Sequence, residues 1–161
     1  MLSENQTIEI IEYELKAARA WAERHGVVIR WQPETKTIQV ELVQPMTGEV
    51  FYLQGQLDNY RMFPPKWTFC NSEWSQSGKK DLFPAPAPKS SLFHPNGIIC
   101  APFNRLAYTC PEHQGLHSDW GGPVNWLNAG GVHIRASTIA DMLQAIRRDL
   151  VMSRGRMRSE G

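Results

Sequence analysis

A chain of 161 residues, 42% apolar and 20% charged, has the make-up of a globular domain and not of a disordered segment. Its 17 Lys+Arg against 16 Asp+Glu lack the large basic excess of a duplex-binding protein, so no nucleic-acid partner is expected. Three cysteines argue against a disulfide-stapled secreted scaffold, the Met-Leu-Ser-Glu-Asn-Gln start lacks the pattern of a signal peptide, and no apolar run approaches the roughly 18 residues of a membrane span. A cytoplasmic, single-domain protein over 1–161 is expected, with its core over about 4–152.

Residues 4–24 carry the first helical pattern. Ile8, Ile11, Leu15, Ala18 and Trp21 recur at three- and four-residue steps, with Tyr13 and Ala17 beside the same stripe. Ser3 is the expected N-cap, and Gly26 the stop. Strand patterns follow over 27–31, 37–43 and 49–57. Pro33-Glu34-Thr35 and Met46-Thr47-Gly48 separate them, which predicts an antiparallel meander. Pro64-Pro65-Lys66 then leads into a fourth short strand over 67–70, because two prolines fit only an extended entry. Residues 71–91 read as a loop ending in the stiff Pro84-Ala85-Pro86-Ala87-Pro88. A last helix is expected over 138–152, capped by Ser137 or Thr138, with Ile139, Met142, Leu143, Ile146 and Leu150 on one face. The Arg154, Arg156 and Arg158 tail over 153–161 is expected to fray. The fold class is therefore α+β: an N-terminal helix, a four-stranded antiparallel meander, an active-site loop and a C-terminal helix.

The densest reactive chemistry lies in the aperiodic stretch 92–131, which holds His94, Asn96, Cys100, Cys110, His113, His117 and Asp119. Ordered loops are where sites tend to sit. A cysteine thiolate is strongly nucleophilic near neutral pH and can carry an acyl group as a thioester. A competing reading is zinc. Cys110, His113 and His117 have Cys-x2-His-x3-His spacing, with Cys100 or His94 as a fourth ligand, but the paired Cys-x2-Cys knuckle is missing. His117 or Asp119 could also help to deprotonate an incoming amine. A thiol hydrolase with a Cys-His pair is a further alternative, without a family signature around Cys100.

The run Phe93-His94-Pro95-Asn96-Gly97-Ile98-Ile99-Cys100 resembles the active site of the ubiquitin-conjugating enzyme (UBC) family, where His-Pro-Asn precedes Gly-x-[Ile/Val]-Cys. Pro64-Pro65-Lys66-Trp67-Thr68-Phe69 resembles that family's Pro-Pro-Lys-aromatic-x-Phe run, and Trp120 and Trp126 follow the cysteine as its tryptophans do. In the family a few more residues separate Asn from the Gly-x-Ile-Cys piece, whereas here the two are fused. Ala101 stands where an apolar residue often follows the cysteine, and the insert 71–91 is longer than usual. These departures fit a divergent prokaryotic branch.

The resemblance implies a UBC-like fold and a thioester carrier that accepts a ubiquitin-like modifier on Cys100 and passes it to an amine. The Asn96 amide would supply an oxyanion donor or a loop brace, and His94 would shape the loop. It implies no metal or organic cofactor. The partners it implies are the modifier, a ThiF-like activating enzyme and a JAB-type peptidase encoded nearby. Lys16 and Arg19 on the first helix, and Phe63, Pro64 and Pro65, would be partner surfaces. The alternative is a non-catalytic UBC-fold module that only binds such a modifier.

Overall fold

Ser3 starts the first helix with a reciprocal cap. Its Oγ accepts the Gln6 N–H at 3.2 Å while Gln6 Oε1 accepts the Ser3 N–H at 2.8 Å. The computed structural model describes residues 2–88, 91–109, 120–129 and 135–158. Helix α1 runs Glu4–His25 and ends at Gly26, whose φ of 65° is the left-handed conformation a stop requires. Its buried face is Thr7, Ile11, Glu14, Leu15, Ala18, Trp21 and Ala22. Two expected neighbours of that stripe lie outside it: Ala17 is exposed, and Tyr13 is 73% exposed with the Lys16 ammonium over its ring. The buried positions step by three and four from Thr7, and Tyr13 falls off that row.

Strands β1 (Val28–Gln32), β2 (Thr37–Val43), β3 (Val50–Gln56) and β4 (Lys66–Cys70) form one sheet in the order β1-β2-β3-β4, every neighbouring pair antiparallel. Alternation sets the faces. Ile38, Val40, Leu42, Phe51, Leu53, Trp67 and Phe69 are buried, while Gln39, Glu41, Tyr52, Gln54 and Thr68 on the opposite face are half-buried. Gly55 lies directly opposite Trp67, and a Cβ there would come within 2.5 Å of the indole ring. The glycine thus lets the largest side chain of β4 lie flat across β3. Helix α2 (Ile139–Met152) takes Thr138 as its cap, buries Ile139, Met142, Leu143, Ile146 and Leu150, and packs on α1. Trp21 Nε1 donates to Gln144 Oε1 across that contact at 2.6 Å. Among the described residues no helix is long and apolar enough to cross a membrane.

One expectation about an irregular segment needs correction. The tail is not frayed over 153–158. Ser153 is buried and its Oγ donates to Ala85 O at 2.6 Å, while Ala85 N–H reaches Gly155 O at 2.7 Å and Met157 N–H reaches Phe83 O at 2.9 Å. The Arg156 guanidinium lies 4.3 Å from the Phe51 ring centroid, so backbone pairing and burial of this long side chain hold a segment whose charges read as solvated. Residues 71–88 form a loop as expected, with one short 3-10 turn over Lys80–Leu82 and several internal ties. Asn71 Oδ1 accepts the Ser75 and Gln76 N–H groups, Ser77 bridges Cys70, and Pro84 pairs with Arg156. Residues 83–85 therefore run as an extended partner of the tail.

Candidate active site around Cys100

His94-Pro95-Asn96-Gly97 is a hairpin turn. Strands β5 (Phe93–His94) and β6 (Ile98–Ile99) pair antiparallel, Phe93 opposite Ile99 and His94 opposite Ile98. Gly97 N–H donates to His94 O at 2.9 Å and Gly97 has φ 83°, the left-handed residue of a three-residue hairpin loop. Proline pre-sets the first turn position, asparagine suits the second, and only glycine takes the third without strain. His94 Nδ1 accepts the Asn96 N–H at 3.2 Å. Gly97 also sits against backbone, since a Cβ there would be 2.9 Å from Lys80 Cα.

Cys100 lies one residue beyond β6, at the base of this hairpin. Its N–H donates to Leu92 O at 2.6 Å, and the Leu92 N–H donates to the buried Asp149 carboxylate of α2 at 2.6 Å. The thiol is half-buried beside a small apolar cluster of Ala107, Trp120 and Ala129, with Tyr108 packed on it. The Tyr108 hydroxyl donates to Pro102 O at 2.7 Å, and burial pushes its pKa well above the ordinary tyrosine value. A short 3-10 helix, Arg105–Tyr108, follows. Arg105 ties it to the β3–β4 connection: Nε donates to Pro64 O at 2.9 Å, a terminal nitrogen to Asp58 Oδ2 at 3.1 Å, and the backbone N–H to Pro65 O at 2.9 Å.

The expected site residues divide accordingly. His94 and Asn96 are together at the tip of the hairpin, and Cys100 is at its other end. At about 3.4 Å per residue, the two steps from Ile98 to Cys100 cover about 7 Å of strand. Lys16 and Arg19 are exposed on α1. Pro64 and Pro65 are buried, and Arg105 takes both of their carbonyls; Phe63 is half-buried with the same guanidinium 5.2 Å from its ring centroid. Cys110, His113, His117 and Asp119, and with them the zinc reading, lie outside the described residues. Among the described residues no group of three His, Cys, Asp or Glu side chains could hold a metal ion.

Sequence reasoning passed over Asn104, Arg105 and Asp149. Asp149 reads as part of a polar helix face, and Asn104-Arg105 as loop residues; their only cue is a polar pair four residues after the thiol in an otherwise apolar run. It also passed over a cleft of about 520 Å³ where Leu2, just before α1, and Gln6 of α1 meet Arg61, Met62 and Val124. Leu2, Met62 and Val124 are exposed on its rim.

The two described cysteines differ in chemistry. Cys70 is buried in β4, and burial pushes its thiol up to about 11. Burial thus both suppresses the Cys70 thiolate and shields it from reagent, whereas Cys100 is half-buried. Iodoacetamide added to the native chain at about pH 8 should label Cys100 well before Cys70, with peptide mass mapping as the readout. Labelling of Cys70 first would contradict this ordering.

Fold and site together define an α+β protein with an N-terminal helix, a four-stranded antiparallel sheet, a C-terminal helix and a half-exposed thiol at the base of a two-stranded hairpin. No protein-family model, curated protein or solved structure matches this chain.

Proposed function

We propose that this chain is a UBC-like thioester carrier for a ubiquitin-like modifier, with Cys100 as the acceptor. The observation that carries this reading is the half-buried thiol at the base of the His94-Pro95-Asn96-Gly97 hairpin, set between a helix-then-meander fold and a closing helix. The thiol is half-buried and packs on an apolar floor of Ala107, Trp120 and Ala129. In the first step the Cys100 thiolate attacks the modifier's activated carbonyl. A new C–S bond forms, the C–S bond to the activating enzyme breaks, and that enzyme's sulfur leaves as a thiolate that takes up the proton Cys100 gave to solvent. In the second step an amine attacks the thioester, the C–N bond forms, the C–S bond breaks and Cys100 is regenerated. Neither step needs a metal or a redox group.

His94, Pro95 and Asn96 serve this reading by making the turn that presents the hairpin. Lys16 and Arg19, exposed on α1, suit polar contacts with an activating enzyme, and the cleft beside Leu2, Met62 and Val124 suits an apolar side chain of a protein partner. The test is incubation with an activating enzyme, its modifier and ATP. A modifier adduct on Cys100 that a reducing agent removes is expected, and Cys100→Ser should give a stable oxyester or no adduct. A thiol-labile adduct that persists on Cys100→Ser would place the chemistry elsewhere.

A further inference from the structure

Asn104 is wholly buried, and each hydrogen-bonding position of its carboxamide is used. Nδ2 donates to Ile99 O at 2.8 Å and to Trp67 O at 3.2 Å, while Oδ1 accepts the Trp67 N–H at 2.8 Å and the Leu106 N–H at 3.3 Å. An asparagine offers two donors and two main acceptor directions, so this side chain is saturated by backbone alone. Its contacts to Trp67 take the place of a neighbouring strand at the free edge of β4. Trp67 is itself locked, lying flat over Gly55 with its indole N–H 3.4 Å from Met142 Sδ. On the other side Asn104 holds the carbonyl of Ile99, the residue before Cys100, and its own N–H closes a turn onto Ala101 O at 3.0 Å, the residue after it. The Cys100 peptide is thus held on both flanks by Asn104, whose side chain ties it to Trp67 in the edge strand β4.

We propose that Asn104 is the positioning residue of the Cys100 site, orienting the thioester carbonyl for attack by the incoming amine. This rests on the acyl-transfer reading above. A misplacement of about 1 Å at a reacting centre can cost on the order of 100-fold in rate. Alkylation of the free thiol by a small, freely diffusing electrophile makes no such demand on backbone orientation.

The experiment charges the wild-type, Asn104→Ala and Asn104→Asp chains with a short peptide α-thioester and reads two rates at Cys100. One is discharge of the peptide to free lysine; the other is alkylation of the uncharged thiol by iodoacetamide. For Asn104→Ala, discharge should fall about 10- to 100-fold while alkylation stays within about threefold of wild type. Unchanged discharge, or discharge and alkylation falling in the same proportion, would overturn the assignment. Should the alanine variant fail to fold, the isosteric Asn104→Asp decides. Its buried carboxyl, once protonated, can again donate to Ile99 O while accepting from Trp67 N–H, so its discharge relative to wild type should climb as pH drops from about 9 to about 6. A ratio flat across that range overturns the proposal. A wild-type chain that takes no acyl group from the thioester overturns the transfer reading itself, whereas a wild type that charges and an Asn104→Ala chain that matches it overturn the role of Asn104 alone.

Discussion

Glu14→Ala should lower the melting temperature of the folded chain by roughly 10 °C, corresponding to a loss on the order of 3–5 kcal/mol. Glu14 sits on the buried face of α1 and joins three separate parts of the fold. Its Oε1 accepts the Tyr60 hydroxyl at 2.6 Å and the Ile139 N–H, in the first turn of α2, at 3.0 Å; its Oε2 faces the Arg61 guanidinium at 3.0 Å. Burial, reinforced by the adjacent Glu14 charge, holds the Tyr60 hydroxyl far above its ordinary pKa, so it remains a donor throughout the working pH range. Alanine would strand a buried hydroxyl and a helix N-terminal N–H together, and would leave Arg61 with the Ser137 carbonyl at 2.6 Å as its remaining acceptor among the described residues. Glu14→Gln keeps one acceptor oxygen and should cost distinctly less. Thermal unfolding of the two variants side by side checks this. A Glu14→Ala chain that melts with wild type would show that water replaces all three contacts.

That carboxylate also shows where sequence reading reaches its limit. The helix around it was legible because apolar spacing, a Ser3 cap and a Gly26 stop all agree. The meander was legible for the same reason: alternation in β2 and β3 is clear, and the turns between strands carry proline or glycine. A glutamate within an amphipathic helix, however, reads as solvent-facing, and only the distant Tyr60, Arg61 and Ile139 make it a buried hub. Asn104 and Asp149 share that property, since each holds a distant backbone group, Trp67 at 37 residues and Leu92 at 57. The β5–β6 hairpin has two residues per strand, too few for any periodicity, and its Pro95-Asn96-Gly97 turn stayed hidden in a stretch that reads as aperiodic. Proline at 64 and 65 correctly marked an extended entry to β4, but exposure does not follow from extension: Arg105 reaches back across 41 residues to take the Pro64 carbonyl.

Within the hairpin, Gly97→Ala and Asn96→Ala should separate architecture from chemistry. At Gly97 an L side chain meets two penalties at once. The φ of 83° disfavours any Cβ by about 1–2 kcal/mol, and the new methyl would stand 2.9 Å from Lys80 Cα and 3.1 Å from Lys80 N, backbone atoms that cannot swing aside as a side chain could. Together these should destabilise the chain by roughly 2–4 kcal/mol. Because the turn sets the register of His94 against Ile98 and so the placement of Cys100 opposite Leu92, discharge of a Cys100 thioester should slow as well. Asn96 is exposed at the tip, and its backbone N–H, which bonds His94 Nδ1, survives substitution by alanine. Asn96→Ala should therefore melt closer to wild type than Gly97→Ala does, and discharge its thioester to lysine within about threefold of the wild-type rate. An oxyanion donor at Asn96 would give a different result, on the order of 100-fold slower discharge from a chain of nearly native stability. Melting curves and single-turnover discharge on both variants distinguish the cases. A slow but stable Asn96→Ala chain would mean that the tip of the hairpin folds over the thiol when the site is charged.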